Sequence, residues 1–400
     1  MEDWWNTLTA TVAELESAQI ACCIVDEAAL IVHGVKLPAL PPLTIAVQWD
    51  QFAAAHALYQ PLGASPIAAS GASAQFQFSR SGWPVAITCQ RNTVVEADPE
   101  RVIVVREQQP LPIKTLLFYR HAWGQADLRV ALIEARLREL QAELTAHNAA
   151  AWSHAATYLA WVERHGPPAE AAARLVADPA SRLGALQRHL GPLEGRRIIN
   201  LMGSNGSKAV ALALLGGKVT LVDIAPENLR YASELAVAAS ATLRCIGADV
   251  LALPAAERTA DYDLVLLELG ILHYFIDLLP LAVVVTELLG AGGRLVLQDF
   301  HPVSTKLISS KGRKHKVSGN YFDPTLHSTP VAYSKHLSLD KHLSDAQPQP
   351  QVQLRRWTLG EIVTAFAAAG LRIAGLFEEP NTKLDDAGIP KTFTLVAEKP

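Results

Sequence analysis

Short apolar runs alternate with amphipathic stretches along the second half of the chain. The apolar runs predict strands at residues 197–201, 218–222, 242–247, 262–267, 293–298, 371–376 and 392–397. The amphipathic stretches predict helices at residues 206–215, 226–239, 278–289 and 358–369. Strands separated by helices form parallel sheets with both faces covered, so we expect an α/β fold with a seven-stranded, mostly parallel, doubly wound sheet. No helical pattern separates the last two strands, which indicates a final antiparallel strand.

The beginning of the chain has a different pattern. Residues 1–123 contain short apolar runs between turn residues, and the runs at 75–78 and 85–88 predict a pair of strands. We expect a small α+β domain here. Residues 124–193 then show helical spacing, for example at Val130, Ile133 and Leu137, which predicts a helical connector or cap.

The α/β domain follows at residues 194–400. Between its fifth strand and the helix that begins near Trp357 lies an insertion, 300–356. An insertion at the carboxyl edge of a parallel sheet lies beside the ligand site of such folds. We therefore expect residues 300–356 to form a substrate lid.

Composition and charge narrow the class of protein. The 400 residues carry a net charge of −4, which argues against nucleic acid because phosphate binding needs concentrated positive charge. No apolar run approaches the ~20 residues of a membrane span, and the first residues lack the features of a secretion signal. The four cysteines form neither a disulfide framework nor a metal-binding pattern. We expect a cytoplasmic protein without a metal, nucleic acid or membrane partner.

Three strand ends carry residues suited to a nucleotide. The first strand ends in Asn200-Leu201-Met202-Gly203-Ser204-Asn205-Gly206 and passes directly into a helix, where glycine lets the backbone approach a ligand. The second ends at Asp223, where an acid hydrogen-bonds a ribose in nucleotide-binding sheets, and the third is followed by Asp249. Because the carboxyl ends of neighbouring strands meet at one edge, the sequence predicts a nucleotide site there.

Two other interpretations of the glycine-containing turn are weaker. A phosphate loop needs a hydroxyl residue after its lysine, but Ala209 follows Lys208 and the spacing differs. A nicotinamide-dependent dehydrogenase shares the glycine turn and the acid after strand two. It is disfavoured by the C-terminal strand pair and by Asp249, which has no role in that class.

Residues 196–299 and 357–398 resemble the class I S-adenosylmethionine-dependent methyltransferases. The resemblance rests on the glycine loop, Asp223, Asp249, the strand-four end Glu268-Leu269-Gly270-Ile271-Leu272-His273-Tyr274 and a closing strand at 393–397, all in the family's order. The family often has Asp-Leu-Gly-x-Gly-x-Gly in its loop, whereas this chain has fewer glycines and begins with the amide Asn200. The resemblance implies S-adenosyl-L-methionine as cofactor.

The same resemblance implies which residues bind that cofactor. They follow the first four strands of the domain: Asn200, Met202, Gly203, Ser204, Asn205, Gly206, Asp223, Ile224, Asp249, Val250, Glu268, Leu269 and Gly270.

Candidate substrate-binding residues lie in the insertion and in the helical segment. The insertion contains a basic run that includes Lys311 and Arg313, followed by Tyr321 and Tyr333; such a run is either a solvated loop or a site for a carboxylate or phosphate. Trp152 and Tyr158 lie on different faces of the helical segment. In related enzymes this segment covers the cofactor, so either aromatic residue is a candidate cap, with packing as the alternative.

Candidate catalytic residues follow strands four and five. Methyl transfer from a sulfonium depends mainly on alignment, and an oxygen or nitrogen acceptor also needs a base to remove its proton. His273 and His301 leave these strand ends, and imidazole titrates near neutral pH. Either histidine can instead be structural. Tyr274 is expected to form a wall of the site rather than to act as a base.

Residues 22–90 resemble a small nucleotidyltransferase-type domain. The resemblance rests on the stretches 28–34, 42–45 and 84–87, and active members hold metal ions on three carboxylates. The matching positions here are Pro42, Thr44 and Ala86, none of which binds magnesium. The resemblance therefore implies an inactive domain that binds substrate, a partner protein or a second subunit, and a homodimer remains an open alternative.

These observations predict a methyltransferase that acts on a small molecule or a short peptide. The alternative is a non-catalytic protein that binds S-adenosylmethionine and acts through its N-terminal domain.

Overall fold

The computed structural model describes residues 1–124, 126–311, 314–337, 349–381 and 388–400, without the side chains at 310 and 311. The chain forms two compact units, residues 1–140 and 141–400. The boundary falls inside helix α5, Leu128–Trp152. The helical segment after residue 140 thus belongs to the same unit as the α/β domain.

The first unit is built on a mixed sheet of seven strands in the order β3-β4-β5-β2-β1-β7-β6. Its strands are β1 Cys22–Val25, β2 Leu43–Val47, β3 Ala68–Ser70, β4 Ser73–Arg80, β5 Trp83–Gln90, β6 Arg101–Arg106 and β7 Gln109–Lys114. Its helices are α1 Glu2–Ser17, α2 Asp26–Val32, α3 Phe52–Tyr59 and α4 Leu116–Trp123.

The predicted strand pair in this unit is confirmed. Strands β4 and β5 are antiparallel neighbours with Phe76 opposite Ile87. Burial alternates along β4, because Phe76 and Phe78 face the core while the residues between them face solvent. Phe78 stacks on Tyr59 of α3 at a ring distance of 4.3 Å. This period of two fixes the register of the hairpin.

Two of the three positions matched to nucleotidyltransferase carboxylates are neighbours in the sheet. Thr44 of β2 pairs with Ala86 of the parallel strand β5. Pro42 immediately precedes β2. The three residues therefore come from adjacent strands but bring no carboxylate.

The second unit has a seven-stranded sheet in the order β10-β9-β8-β11-β12-β18-β17. Its strands are β8 Arg197–Leu201, β9 Lys218–Asp223, β10 Leu243–Gly247, β11 Tyr262–Glu268, β12 Leu289–Phe300, β17 Arg372–Pro380 and β18 Pro390–Glu398. The first five are parallel, and β18 is antiparallel to both β12 and β17. The predicted fold and its antiparallel last strand are confirmed.

Helices cover both faces of this sheet. They are α6 Ala156–His165, α7 Pro168–Ala177, α8 Pro179–Leu183, α9 Gln187–Leu190, α10 Ser207–Leu214, α11 Pro226–Ala238, α12 Leu279–Leu288 and α13 Leu359–Ala368. Helices α7 and α8 pack on α10 and α11. The chain order reverses between β9, β8 and β11, which is the point where open α/β sheets bind ligands.

The insertion forms two small antiparallel pairs. They are β13 Ile308–Lys311 with β14 Lys314–Val317, and β15 Leu326–Pro330 with β16 Gln351–Arg355. Strand β14 is exposed along its whole length. No helix among the described residues is long and apolar enough to cross a membrane.

Candidate active site

A cavity of about 480 Å³ opens at the carboxyl ends of β8, β9, β10 and β11. Side chains of α5 and α6 and of the turn Ala332–His336 complete its wall. The four strand ends are brought together because the strands are parallel and the chain order reverses at β8. The cavity therefore lies where the sequence predicts a nucleotide site.

The loop after β8 has space only for glycine at two positions. A Cβ on Gly203 would lie 2.3 Å from Leu221 Cδ1 and 2.4 Å from Asn200 Oδ1. Gly206 has a φ of +70°, and a Cβ there would lie 2.4 Å from Ala232 Cβ. These close contacts hold the loop against β9 and α11, and they aim the N-terminus of α10 at the cavity.

Two residues of this loop adopt a left-handed backbone without being glycine. Met202 has a φ of +52° and Ser204 a φ of +53°. These are the positions at which the family pattern has its first two glycines. The loop therefore keeps the family's glycine-type backbone while spending ~1–2 kcal/mol of strain at each residue. Both residues line the cavity.

The carboxyl group of Asp223 accepts hydrogen bonds from three residues at the cavity wall. Its Oδ2 accepts a 2.9 Å hydrogen bond from the Ser204 N–H, and its Oδ1 accepts bonds from the Ala225 N–H and the Asn228 amide at 2.9 and 3.0 Å. Burial raises the pKa of Asp223, and hydrogen bonds from Ala225, Asn228 and Ser204 oppose that rise. Asn228 also accepts a hydrogen bond from the Trp161 indole at 2.8 Å.

Asp249 follows β10 and lines the same cavity with Ile224 and Val250. Its Oδ1 accepts the Leu251 N–H at 3.0 Å, which fixes the turn and leaves Oδ2 for a ligand. Two apolar side chains beside one carboxylate suit the flat, partly polar edge of a purine.

The end of β11 carries Glu268, whose carboxylate forms an ion pair with Lys208 of α10. Both side chains are mostly buried and both line the cavity. Lys208 was considered in the sequence only as a phosphate-loop residue. The sequence does not indicate its pairing with Glu268, because the two residues meet only through the pairing of β8 with β11.

The predicted base His273 lines the cavity, beside Tyr274. Burial lowers the pKa of His273, the nearby Asp299 raises it and Arg356 lowers it further. The Tyr274 hydroxyl accepts a 2.8 Å hydrogen bond from the Trp152 indole, and burial raises the pKa of this phenol. His273 and Phe300 also line a smaller adjoining cavity of about 90 Å³.

His301 lies elsewhere. Its ring is 3% exposed and does not line the cavity. Its Nδ1 accepts the Val303 N–H at 3.2 Å, and its Nε2 lies 2.6 Å from Glu378 Oε1. Nδ1 thus faces the turn that follows β12, and Nε2 faces Glu378 of β17.

The expected substrate residues divide in the same way. Trp152 lines the cavity, whereas the Tyr158 hydroxyl donates a hydrogen bond to Glu234 outside it. Tyr333 is buried behind Trp152, with its ring 5.6 Å away and its hydroxyl bonded to the Ala151 carbonyl. Tyr321 accepts the Leu359 N–H through its hydroxyl.

The prediction for the two basic residues of the expected lid stays untested. Lys311 lies in β13, and its side chain falls outside the described parts of the chain, as does all of Arg313.

Among the expected cofactor-binding residues, Asn200 and Gly206 do not line the cavity, and all the others do. Asn200 lies beneath the loop, and its Oδ1 is buried against Gly203 with no hydrogen-bond partner in the described parts of the chain. Sequence reasoning missed several lining residues: Trp161, Arg164, His165, Arg182, Phe300, Lys335 and His336. Their side chains lie on elements whose packing is not visible in the residue pattern.

The donor set fits S-adenosylmethionine. Asp223 presents a buried carboxylate for hydroxyl groups, and Asp249 has one oxygen without a hydrogen-bond partner among the described residues, beside apolar side chains. The loop at Gly203 admits a ligand closely because no Cβ stands there. The unpartnered Asn200 Oδ1 behind this loop is one more polar atom at the site.

Residues 202–297 match the protein family described as the methyltransferase domain. No curated protein matches the chain. Similar solved structures include S-adenosylmethionine-dependent methyltransferases from Listeria monocytogenes (18% identity, 55% of this chain and 99% of that chain, TM-score 0.43) and Mesorhizobium loti (20%, 56% and 99%, 0.43). Another is 1,6-didemethyltoxoflavin-N1-methyltransferase from Burkholderia thailandensis (18%, 56% and 78%, 0.35).

The strand order, the loop geometry and the family match define a class I methyltransferase domain in the second unit. Residues 202–297 of this unit accordingly form a methyltransferase domain. The resemblance of the first unit to nucleotidyltransferases has no such support.

Proposed function

We propose that this enzyme methylates a small molecule in the cavity, at the end formed by His273, Phe300 and Trp152. The carrying observation is that a single cavity of about 480 Å³ joins Asp223 and Asp249 to His273. Pockets for small ligands have volumes of roughly 300–1,000 Å³. This cavity is at the small end of that range, so a compact metabolite fits it better than a short peptide.

The cofactor is bound by residues of the β8, β9, β10 and β11 ends. Asp223 accepts hydrogen bonds from the ribose hydroxyls, and Asp249 and Val250 bind the adenine. The loop 202–206 holds the amino-acid part. When bound, S-adenosylmethionine supplies an electrophilic methyl group on a good leaving group. The chain's own contribution is alignment, since holding two reactants in line replaces a costly encounter in solution.

His273 is the proposed general base. Its burial favours the neutral imidazole, so at neutral pH the ring has a lone pair ready for the acceptor's proton. Asp299 lies near enough to raise its pKa, and that charge stabilises the imidazolium formed after proton transfer. Tyr274 lies against the His273 ring at 4.5 Å, and its hydrogen bond with Trp152 braces this part of the wall.

Labelled S-adenosylmethionine tests the proposal directly. The protein would be incubated with the labelled cofactor and fractions of a metabolite extract, and a peptide pool would serve as the competing substrate class. Transfer to a low-molecular-mass fraction that disappears in His273→Asn supports the proposal. Transfer only to peptides, or equal transfer by the variant, contradicts it.

A purely cofactor-binding protein is not favoured. The loop keeps the methyltransferase backbone at Met202 and Ser204 despite the lost glycines. A titratable residue, His273, also lines the cavity, and a binding protein has no need for a base there.

A further inference from the structure

Cationic side chains gather in the part of the cavity wall made by α6, α8 and the turn Ala332–His336. Arg164 comes from the last turn of α6, Arg182 from α8 and Lys335 from the turn, and all three line the cavity. We call these three residues the basic cluster.

The basic cluster has no carboxylate partner among the described residues. Arg164 Nη1 lies 3.3 Å from His336 Nδ1, another basic group. The Nε of Arg182 is buried and has no hydrogen-bond partner. Neither Arg182 nor Lys335 forms an ion pair within the part of the chain that the structure describes. Arg164 and Lys335 are exposed and Arg182 is half-buried, so the cluster places positive charge, without a carboxylate partner in the described ranges, on the cavity wall, where it attracts an anionic ligand.

Neighbouring groups respond to the positive charge. The pKa of His165 is lowered to about 4, first by burial and then by Arg182 and Arg164. Burial, Arg164 and Lys335 also lower the pKa of His336. Both imidazoles are thus neutral at pH 7 and add no charge, yet the potential around them is positive.

Trp161 holds this end of the cavity in place. Its ring stacks on His165 at 6.0 Å and lies 6.0 Å from His336. Its indole N–H donates to Asn228, which in turn donates to Asp223. The basic cluster is therefore built on a wall that is hydrogen-bonded to the carboxylate proposed to bind the ribose.

The cofactor does not neutralise this charge. S-adenosylmethionine has one carboxylate, one ammonium and one sulfonium, so it brings more positive than negative charge. The nearby carboxylate Glu268 is already paired with Lys208. An anionic group on a second ligand would complement the remaining positive charge.

We propose that the basic cluster binds a carboxylate or phosphate group of the methyl acceptor, so that the enzyme selects anionic acceptors. This inference rests on the proposed function, because it names the substrate class of the same cavity.

The test uses inorganic phosphate and succinate as probes. Each would be titrated by calorimetry into the full chain saturated with S-adenosylhomocysteine, at an ionic strength held constant with sodium chloride. The variants are Arg164→Gln and Arg182→Gln. The matched control is Arg196→Gln, an exposed arginine beside the amino end of β8. We expect weak binding of at least one probe to the wild type and to the control, and about a tenfold loss in both cluster variants, since charge-assisted hydrogen bonds are lost.

Four other outcomes are informative. Equal probe affinity in all four proteins, or no probe binding, overturns the proposal. If the cluster variants bind S-adenosylhomocysteine more weakly but bind methylthioadenosine normally, the cluster holds the cofactor's own carboxylate, which also overturns it. Failure of the wild type to bind S-adenosylhomocysteine contradicts the proposed function instead, and phosphate titrated into the cofactor-free protein then still tests the cluster.

Discussion

The carboxylate of Asp299 accepts a 2.6 Å hydrogen bond from the backbone N–H of Gly270. It also accepts the N–H groups of Leu272 and Phe300 at 3.2 and 2.7 Å. One buried side chain at the end of β12 thus fixes the turn after β11. Because that turn carries His273, Asp299 is a positioning residue for the proposed base.

Asp299→Asn should lower the turnover number while leaving cofactor affinity almost unchanged. The amide keeps the shape but offers one acceptor oxygen in place of two, so a buried N–H loses its partner at a cost of ~1–3 kcal/mol. The pKa of His273 should fall further, because the charge of Asp299 raises it. NMR titration of the His273 ring measures this shift, which loss of packing alone would not produce. An unchanged His273 pKa would remove Asp299 from this role.

His273→Asn should reduce single-turnover methyl transfer by ~10²–10⁴ for an acceptor that must lose a proton. Wild-type activity should fall only as the pH drops below the usual imidazole pKa of about 6.5, because burial lowers the pKa of His273 and the base form persists into mild acid. His301→Asn is the control, because that ring faces Val303 and Glu378. Wild-type rates in both His273→Asn and His301→Asn across the pH range would exclude a histidine base.

Asp223→Ala should weaken S-adenosylhomocysteine binding by roughly ten- to hundredfold, since hydrogen bonds to a buried carboxylate are lost. Calorimetry on the variant, with its fold checked by circular dichroism, measures the change. Asp261→Ala is the control because Asp261 is an exposed carboxylate paired with Arg197 at the other edge of the sheet. Wild-type affinity in a folded Asp223→Ala would mean that the ribose binds elsewhere.

Ser204→Gly should raise the free energy of unfolding. Removing the strain of a left-handed non-glycine residue stabilises the folded state by ~1–2 kcal/mol. Glycine also makes the unfolded chain more flexible, which lowers this gain by about 0.4–1 kcal/mol. Ser233→Gly, in the interior of α11, should instead destabilise by roughly 0.5–1 kcal/mol. Urea denaturation compares the two. A loss of stability in Ser204→Gly would show that its side chain contributes more than its backbone strain costs.

The full chain should release no pyrophosphate from ATP in the presence of magnesium. Thr44 and Ala86 stand side by side in β2 and β5, where the nucleotidyltransferase resemblance would need carboxylates for the metal. A radiolabel assay for nucleotidyl transfer tests this. Turnover by the wild type would mean that other acids of the first unit hold the metal.

The sheet and the acids at its edge were predictable because strand ends are local features. Asp223 and Asp249 each follow an apolar run, and the parallel arrangement then brings them together. The orientation of His301 was not predictable, because its partner Glu378 lies on β17, far along the chain. Arg164, Arg182 and Lys335 were missed for a similar reason, since three separate elements meet only after α6 and α8 have packed. The sequence does not indicate which of Trp152 and Tyr158 lines the site, because the partner of Tyr158, Glu234, lies far along the chain.

Met202 and Ser204 show that a ligand-binding loop can keep its backbone conformation without the glycines that usually adopt it. The backbone bend is fixed by neighbouring residues. Leu221 and Ala232 pack so closely that no Cβ fits at Gly203 or Gly206. Asp223 accepts a hydrogen bond from the Ser204 N–H. The residues that pack around the loop thus determine its backbone shape. The loop sequence itself can change as long as those neighbours are kept. Among distant members of such a family, the contours of β9 and α11 would be a better guide to a working cofactor loop than a count of glycines.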